Sequence, residues 1–103
     1  MYKLNFFVPA TDKERVKEAL FKVGAGRYEN YEYCSFETLG SGQFKPIKDA
    51  NPHIGELNKL EKVQEYKVEM ICSHELIHEA IKVLKEVHPY EEVAYEVFQM
   101  EEL

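Results

Sequence analysis

The sequence predicts an α+β domain of the ferredoxin-like type, with the element order β-α-β-β-α-β and both helices on one face of an antiparallel sheet. Apolar side chains repeat with a period of two in most of the predicted strands and with helical spacing in two other segments. The chain of 103 residues is long enough for one hydrophobic core and too short for two. We therefore expect a single domain spanning residues 1–103.

The first predicted unit is a strand followed by a helix. Large side chains alternate over residues 2–8, which is typical of a strand. Thr11 and Glu14 have the spacing of a capping box, so the helix is expected to start there. Gly24 and Gly26 predict its end, because glycine tolerates the left-handed backbone found beyond a helix.

Two strands and an irregular stretch are predicted in the middle of the chain. Residues 31–39 are rich in aromatic side chains and predict the second strand, with Cys34 inside it. Residues 40–55 hold three of the five glycines and two of the four prolines, so we expect an irregular excursion there. Alternation over residues 66–72 predicts the third strand.

The last predicted unit is again a helix and a strand. Ser73 is a suitable N-cap for the second helix, whose apolar stripe runs to Val87. Pro89 ends this helix. Alternation over residues 93–98 then predicts the closing strand.

Large side chains occur on both faces of the predicted sheet, although two helices cover only one. An open face in contact with water is expected to be polar, whereas exposed aromatic patches are typical of interfaces. We therefore expect self-association, and the alternative is that residues 40–55 fold back over the sheet. The side chains concerned are Phe7, Tyr31, Tyr33, Phe36, Ile71, Tyr95 and Phe98.

The composition excludes several classes of protein. The net charge of −6 argues against binding to a nucleic-acid backbone, which requires a basic face. No apolar run reaches the roughly 20 residues of a membrane helix, and the first residues do not resemble a signal peptide. We therefore expect a cytoplasmic protein without nucleic-acid or membrane partners, in which Cys34 and Cys72 are reduced.

A zinc-protease pattern occurs at the start of the second predicted helix. His74, Glu75 and His78 match H-E-x-x-H, in which two histidines on one helix face hold zinc beside a general base. The position of Ser73 would place His74 in the first turn, where such a grip is poorly formed. We therefore favour solvated histidines and keep a small metal-dependent hydrolase as the weakest alternative.

A second group of polar side chains lies where the second helix gives way to the last strand. His88, Glu91 and Glu92 combine imidazole and carboxylates, which suit a divalent cation such as zinc or manganese. Residues 86–103 contain six glutamates and no lysine or arginine. The sequence thus predicts a site for a divalent metal ion or small ligand at His88 and Glu91, with His53 as a further candidate. The alternative is a solvated charge pair.

Three segments together carry a resemblance, namely residues 24–36, 40–55 and 88–95. They resemble the inserted domain of the YqfO-type, dinuclear-metal-binding, NGG-interacting-factor-like family, over about residues 2–100. The last segment is also similar to the CutA divalent-cation-tolerance proteins. The matching positions are Tyr28, Cys34, Phe36, Phe44, Pro52, His53, Gly55, His88, Tyr90 and Glu91.

The resemblance implies a PII/CutA-like fold and a trimeric or larger homo-oligomer with ligand sites at subunit clefts. It marks Tyr28, Cys34, Phe44 and Tyr90 as ligand or structural positions. The dinuclear metal centre and the GTP cyclohydrolase label of that family rest on flanking domains, so we expect no catalysis. The predicted function is a self-associating binding or regulatory module, and the alternative is an oligomerisation or protein-interaction domain without a ligand.

Overall fold

The computed structural model describes all of residues 1–103 and confirms the predicted fold class. The strands form one antiparallel sheet in the order β2-β3-β1-β4. Both helices lie on one face of this sheet, as in a ferredoxin-like fold. The elements in chain order are β1 (Tyr2–Pro9), α1 (Ala10–Lys22), β2 (Phe36–Phe44), β3 (Glu61–Cys72), α2 (Ile77–Val87) and β4 (Tyr95–Gln99).

The hydrophobic core lies between the helices and the face of the sheet that they cover. Because side chains alternate along a strand, every second residue of β1 and β3 points into this core. Burial of these side chains is the main force that holds the helices on the sheet. The core consists of Leu4, Phe6, Val8, Val16, Leu20, Phe21, Ala25, Val68, Met70, Cys72, Ile77, Ala80 and Leu84.

The start of α1 differs from the prediction. The helix begins at Ala10, directly after Pro9, whose extended backbone (φ −60°, ψ 150°) makes it the N-cap. Thr11 therefore lies inside the first turn, where its hydroxyl donates to the Asp12 carboxylate (3.0 Å) instead of capping the helix. The predicted capping box with Glu14 is wrong, because a proline at this boundary already removes one of the unpaired donors.

The second strand is also displaced from its prediction. β2 starts at Phe36 and continues to Phe44, so Gly40 and Gly42 belong to a strand and not to an irregular stretch. Cys34 precedes this strand and is not part of it. The reason is tertiary, because β2 is an edge strand whose glycines are held in the sheet by pairing with β3.

The second helix starts three residues later than Ser73 predicts. α2 begins at Ile77, and its N-cap is Leu76 rather than a side-chain cap. The Ser73 carbonyl instead accepts a hydrogen bond from the Leu76 backbone N–H (3.2 Å), which forms a turn before the helix. The helix ends at Val87, one residue before His88, as Pro89 predicts.

The open face of the sheet is less aromatic than predicted. Tyr95 pairs with Phe6 and therefore lies on the helix-covered face. Tyr31 and Tyr33 lie before β2, where the Tyr33 ring stacks on Phe21 of α1 (4.7 Å between centroids). By strand register and the alternation of side chains, the open face carries Lys3, Asn5, Phe7, Phe36, Thr38, Lys67, Glu69, Ile71, Glu96 and Phe98.

β2 and β3 extend beyond the rest of the sheet as a two-stranded ribbon. β3 starts at Glu61, five residues earlier than predicted, whereas its pairing with β1 ends at Glu65. Its first four residues pair only with the end of β2. The ribbon carries a long loop, residues 45–60, and the molecule measures 46 Å along its long axis against 25 and 24 Å across.

The first and last strands of the chain, β1 and β4, lie side by side in the sheet. β1 pairs with β4 from Tyr2 opposite Gln99 onwards. The Met100 backbone N–H also donates to the Met1 carbonyl (3.0 Å). Neither helix has the length and apolar character needed to cross a membrane.

Candidate ligand-binding site

His88 connects the end of α2 to β1 and to the turn that follows. Its side chain is almost fully buried. Nε2 donates to the Phe7 carbonyl oxygen (2.7 Å), and Nδ1 accepts the Tyr90 backbone N–H (3.1 Å). Only the neutral tautomer with its proton on Nε2 satisfies both partners. Burial lowers the pKa of His88 below its usual value, which favours the same neutral form.

Tyr90 lies at the centre of a group of rings. His88 meets it edge-on at 5.0 Å between centroids, while Phe44 and His53 lie at 6.1 and 6.2 Å. The Tyr90 hydroxyl oxygen is buried and forms no short hydrogen bond, although the Glu65 carboxylate lies close enough to accept one. Burial, followed by the charge of the nearby Glu65, raises the pKa of this phenol well above its usual value. The group is therefore a neutral hydroxyl at neutral pH.

A hydrogen bond to the Glu91 side chain joins the long loop to the turn at residues 88–94. Glu91 accepts a hydrogen bond from the Asn51 backbone N–H (2.9 Å) through one carboxylate oxygen. This bond joins residues 40 positions apart in the chain. It brings His53 close to Tyr90, which explains how a loop histidine reaches the predicted site.

These residues enclose a pocket of about 340 Å³, which we name the Tyr90 pocket. Its volume is at the lower end of the range found for small-molecule sites. Its charged side chains are three glutamates and one lysine, so the lining is acidic. The lining residues are Gln43, Phe44, Lys45, Pro46, Ile47, Ala50, Pro52, His53, Ile54, Glu65, Tyr90, Glu91, Glu92 and Ala94.

Four of the predicted site residues line this pocket, namely Phe44, His53, Tyr90 and Glu91. His88 does not line the pocket but holds Tyr90 in place. No three histidine, cysteine, aspartate or glutamate side chains come together in a metal-binding arrangement. The two ring nitrogens of His88 are both engaged, so a metal ion could use His88 only by displacing Phe7 or Tyr90.

Tyr28 and Cys34 lie far along the chain from this site, between α1 and β2. Tyr28 exchanges two backbone hydrogen bonds of 2.9 Å with Tyr31. Cys34 is half-buried, and its backbone N–H donates to the Gly26 carbonyl (2.8 Å). These are local backbone contacts, and neither residue lines the Tyr90 pocket.

The H-E-x-x-H residues are not presented by one helix. His74 and Glu75 precede α2, and only His78 lies within it. The His74 ring stacks on Tyr2 at 5.4 Å between centroids. The zinc grip of this pattern requires both histidines on one formed helical face, and that geometry is not present.

One pocket residue, Glu65, is not indicated by the sequence patterns. Glu65 lies in β3 before the predicted start of that strand, in the part that forms the ribbon. Its position in the pocket depends on how far β3 extends and on where the turn at residues 88–94 folds. Both are tertiary properties, and alternation in the strand alone carries no signal for them.

The fold places the chain in the class of PII/CutA-like ferredoxin-type domains. CutA1 from Pyrococcus horikoshii has a TM-score of 0.73 and 17% identity, with all of this chain and 86% of that one covered. The PII-like protein CutA from Nostoc sp. PCC 7120 has a TM-score of 0.70 and 15% identity, over 97% and 81% of the two chains. At such identities the likeness concerns the fold alone.

Within that class, the sequence matches proteins of the NIF3/YqfO type. A GTP cyclohydrolase 1 type 2 homolog from Halalkalibacterium halodurans is 42% identical over 97% of this chain and 27% of its own length. The homolog from Bacillus subtilis is 39% identical, again over 97% of this chain and 27% of its own length. The Bacillus cereus protein related to NIF3 has a TM-score of 0.82 and 39% identity, over 98% of this chain and 26% of that one.

The predicted resemblance to NIF3/YqfO-type and CutA proteins is thereby confirmed. The chain spans about a quarter of the length of the NIF3/YqfO-type relatives that it matches. No family model matches the sequence.

Proposed function

We propose that this chain is a non-catalytic, self-associating binding module and that the Tyr90 pocket is its ligand site. The observation that carries the proposal is the buried Tyr90 hydroxyl in the wall of that pocket, which forms no short hydrogen bond within the protein. Buried polar groups in folded proteins almost always have a hydrogen-bond partner. A ligand in the pocket would supply one.

A divalent metal ion is one candidate ligand in this proposal. His53 and Glu91 both line the pocket and would supply an imidazole and a carboxylate ligand. The CutA protein from Archaeoglobus fulgidus is described as a periplasmic divalent cation tolerance protein, which makes metals the natural first trial. His88 would become a third metal ligand only if one of its two hydrogen bonds were broken.

The self-association half of the proposal rests on the open face of the sheet. Phe36 and Phe98 expose 68% and 53% of their surface there, and the long loop does not cover them. The buried Asn5 side-chain oxygen on the same face has no hydrogen-bond partner. These features are typical of an interface. Resemblance to PII and CutA proteins favours a trimer or larger assembly.

An interaction domain without a ligand is the second candidate, and the exposed rings of the open face favour it equally. In that case the face would bind a separate protein partner rather than further copies of the chain. We propose a cytoplasmic location for either candidate, a compartment in which the free Cys34 and Cys72 would stay reduced.

Metal binding is tested by calorimetric titration of Zn²⁺ and Mn²⁺ into protein purified without an affinity tag. We expect His53→Ala and Glu91→Gln to weaken binding about tenfold or more, because each removes one ligand. His78→Ala is the matched control, since His78 is exposed on α2. A thermal-shift screen of small molecules runs beside it, because a ligand of the folded state raises the melting temperature. If neither metals nor small molecules bind, the ligand half of the proposal is wrong.

A further inference from the structure

We propose that the Tyr90 pocket binds an organic cation with a flat apolar body, that is, an aryl or heteroaryl group bearing a protonated amine. This inference rests on the proposed binding function and names the chemical class of the ligand. It follows from the charge of the lining, the rings that form its wall and the two polar groups that converge inside it.

The charge of the lining selects a cation. Glu65, Glu91 and Glu92 oppose the single Lys45, which leaves a formal surplus of two negative charges. The bond from Asn51 occupies one oxygen of Glu91 and leaves the other free. An anionic ligand would meet three carboxylates, and like-charge contacts of this kind are strongly unfavourable at a binding site.

The wall of the pocket suits a flat apolar body. The wall contains three rings, those of Phe44, His53 and Tyr90. The ring centroids of Phe44 and His53 lie 6.1 and 6.2 Å from the centroid of the Tyr90 ring. Aromatic faces attract cations as well as other rings, so they serve both parts of such a ligand. Aliphatic contacts come from Pro46, Ile47, Ala50, Pro52, Ile54 and Ala94.

Two polar groups converge on the position where the amine would bind. The Tyr90 hydroxyl is buried, its proton can point to the Glu65 carboxylate, and its oxygen remains free to accept a hydrogen bond. Glu65 is the charged group that acts most strongly on this hydroxyl. An ammonium group has three donors, which allows it to bind the carboxylate and the hydroxyl together. The pocket is less suited to a metal ion, because it offers no cluster of three metal-binding groups.

Gly42 keeps the Glu65 carboxylate where the inference requires it. The Glu65 side chain lies over Gly42, so a methyl group at that position would overlap the carboxylate. Gly42→Ala is therefore expected to displace Glu65 and weaken binding of the cation. Gly40→Ala is the matched control, because the nearest atom to its added methyl group is 3.9 Å away.

Three indole compounds with the same ring test the charge requirement. They are tryptamine, which is a cation, tryptophol, which is neutral, and indole-3-propionate, which is an anion. The chain has no tryptophan, so ligand fluorescence excited beyond the tyrosine absorption reports the bound indole alone. We expect tryptamine to bind at least tenfold more tightly than the other two, as measured by fluorescence anisotropy.

Two variants identify the groups that hold the amine. Tyr90→Phe and Glu65→Gln should each weaken tryptamine binding about tenfold, as expected for the loss of one buried hydrogen bond or charge. Tyr90→Phe should change the melting temperature of the free protein little, since the hydroxyl that it removes forms no short hydrogen bond. Tyr31→Phe and Glu56→Gln, both at exposed positions outside the pocket, are the controls.

The inference is overturned if indole-3-propionate binds as tightly as tryptamine, or if Tyr90→Phe and Glu65→Gln leave tryptamine binding unchanged. It is also overturned if tryptamine binds only when the protein is diluted. In that case a segment of a second copy of the chain would occupy the pocket at higher protein concentration. Zn²⁺ binding that is sensitive to His53→Ala, without tryptamine binding, would overturn the inference and leave the proposed function intact. Absence of binding by every probe would overturn both.

Discussion

At the scale of single residues, His88 acts as a structural bridge between three segments. It ends α2, bonds to a β1 carbonyl and holds the backbone of Tyr90. The imidazole can do this only in its neutral form, because the Phe7 carbonyl needs a donor and the Tyr90 N–H needs an acceptor. The position of the pocket therefore depends on the protonation state of His88.

The stability of the protein is expected to fall as the pH falls below 6.5. The pKa of His88 is lowered in the folded state, mainly by burial and against the opposing effect of the Phe7 carbonyl. The unfolded state then binds a proton first, so stability is full above the unfolded pKa and is lost as pH falls through it. Urea unfolding between pH 7.5 and 5.5 measures this loss.

His88→Gln is the variant that isolates this effect. Its free energy of unfolding should depend less on pH over the same interval, although it is lower at every pH. The carboxylates of Asp12 and Glu37 do not interfere, because their pKa values are lowered from already acidic values. Parallel pH profiles for the two proteins would contradict the assignment to His88.

The residues of the site were only partly predictable from the sequence. His53, Tyr90 and Glu91 stand out because imidazole, phenol and carboxylate groups occur near a proline turn. Glu65 does not, because its place in the pocket depends on the length of the ribbon. The engagement of both nitrogens of His88 was equally hidden, since Phe7 is 81 residues away in the chain.

At the scale of elements, the segment between α1 and β2 is fixed by Gly26. Its backbone N–H donates to Ile71 of β3 (2.7 Å), and its carbonyl accepts from Cys34 (2.8 Å). Its φ of +76° lies in the left-handed region, and an added Cβ would lie 2.8 Å from the Cys34 carbonyl oxygen and 2.9 Å from the Phe21 ring. Glycine is required here on both counts.

Gly26→Ala is expected to lower the free energy of unfolding by about 1–3 kcal/mol, because it combines backbone strain with a backbone clash. Denaturant unfolding measures the change. Gly40→Ala provides the comparison, because Gly40 has no positive φ and its added methyl group has room. Equal stability of the two variants would show that the segment relaxes around Gly26.

A cluster of charges attaches the edge strand to the first helix. Glu37 of β2 accepts hydrogen bonds from Lys13 (2.6 Å) and Lys17 (3.1 Å) of α1. Lys13 also lies 3.8 Å from the centre of the Tyr66 ring in β3. The hydrogen bond from Lys13 is the main cause that lowers the pKa of Glu37, so the attachment is lost when Glu37 is protonated at acidic pH.

Glu37→Gln should loosen β2 more than the rest of the molecule. Hydrogen exchange measured by mass spectrometry is expected to be faster in the peptide that contains β2 and unchanged in α2, which supplies no partner to these hydrogen bonds. Glu32→Gln serves as the control, because its ion pair with Arg27 is exposed and precedes the strand. Uniformly faster exchange in both regions would contradict a local attachment.

The order of the elements was predictable, whereas several of their ends were not. Periodicity located five of the six elements, whereas an aromatic-rich stretch indicated β2 and placed it several residues too early. The start of α1, the start of α2 and the extent of β2 differ because Pro9, the Ser73 turn and pairing with β3 outweigh local capping and glycine signals. Pro89 marked the end of α2 correctly, because a proline permits no helical continuation.

At the scale of the whole molecule, the proposed self-association would use the open face of the sheet. Phe36 lies on the outermost strand and Phe98 on the opposite edge, so exposed rings border this face on two sides. Between them lie charged side chains, including the Lys3–Glu69 pair (3.5 Å). A homotypic interface on this face would therefore combine aromatic contacts with paired charges.

Phe36→Asp is expected to weaken self-association at least tenfold, because it places a charge where an apolar contact is proposed. Sedimentation velocity at several protein concentrations measures the shift toward monomer. Leu103→Asp adds the same charge at an exposed position near the end of the chain and should leave the assembly unchanged. A wild-type protein that is monomeric at every concentration would contradict self-association.

The pairing of β1 with β4 has a consequence for the connectivity of the fold. Met1 and Met100 are joined by a backbone hydrogen bond, so a short glycine-serine peptide after Leu103 would be long enough to reach Met1. A circular permutant closed by that peptide and opened within the long loop would keep every strand pairing of the sheet. In the permuted chain, β4 would come immediately before β1, whereas it is now the last strand.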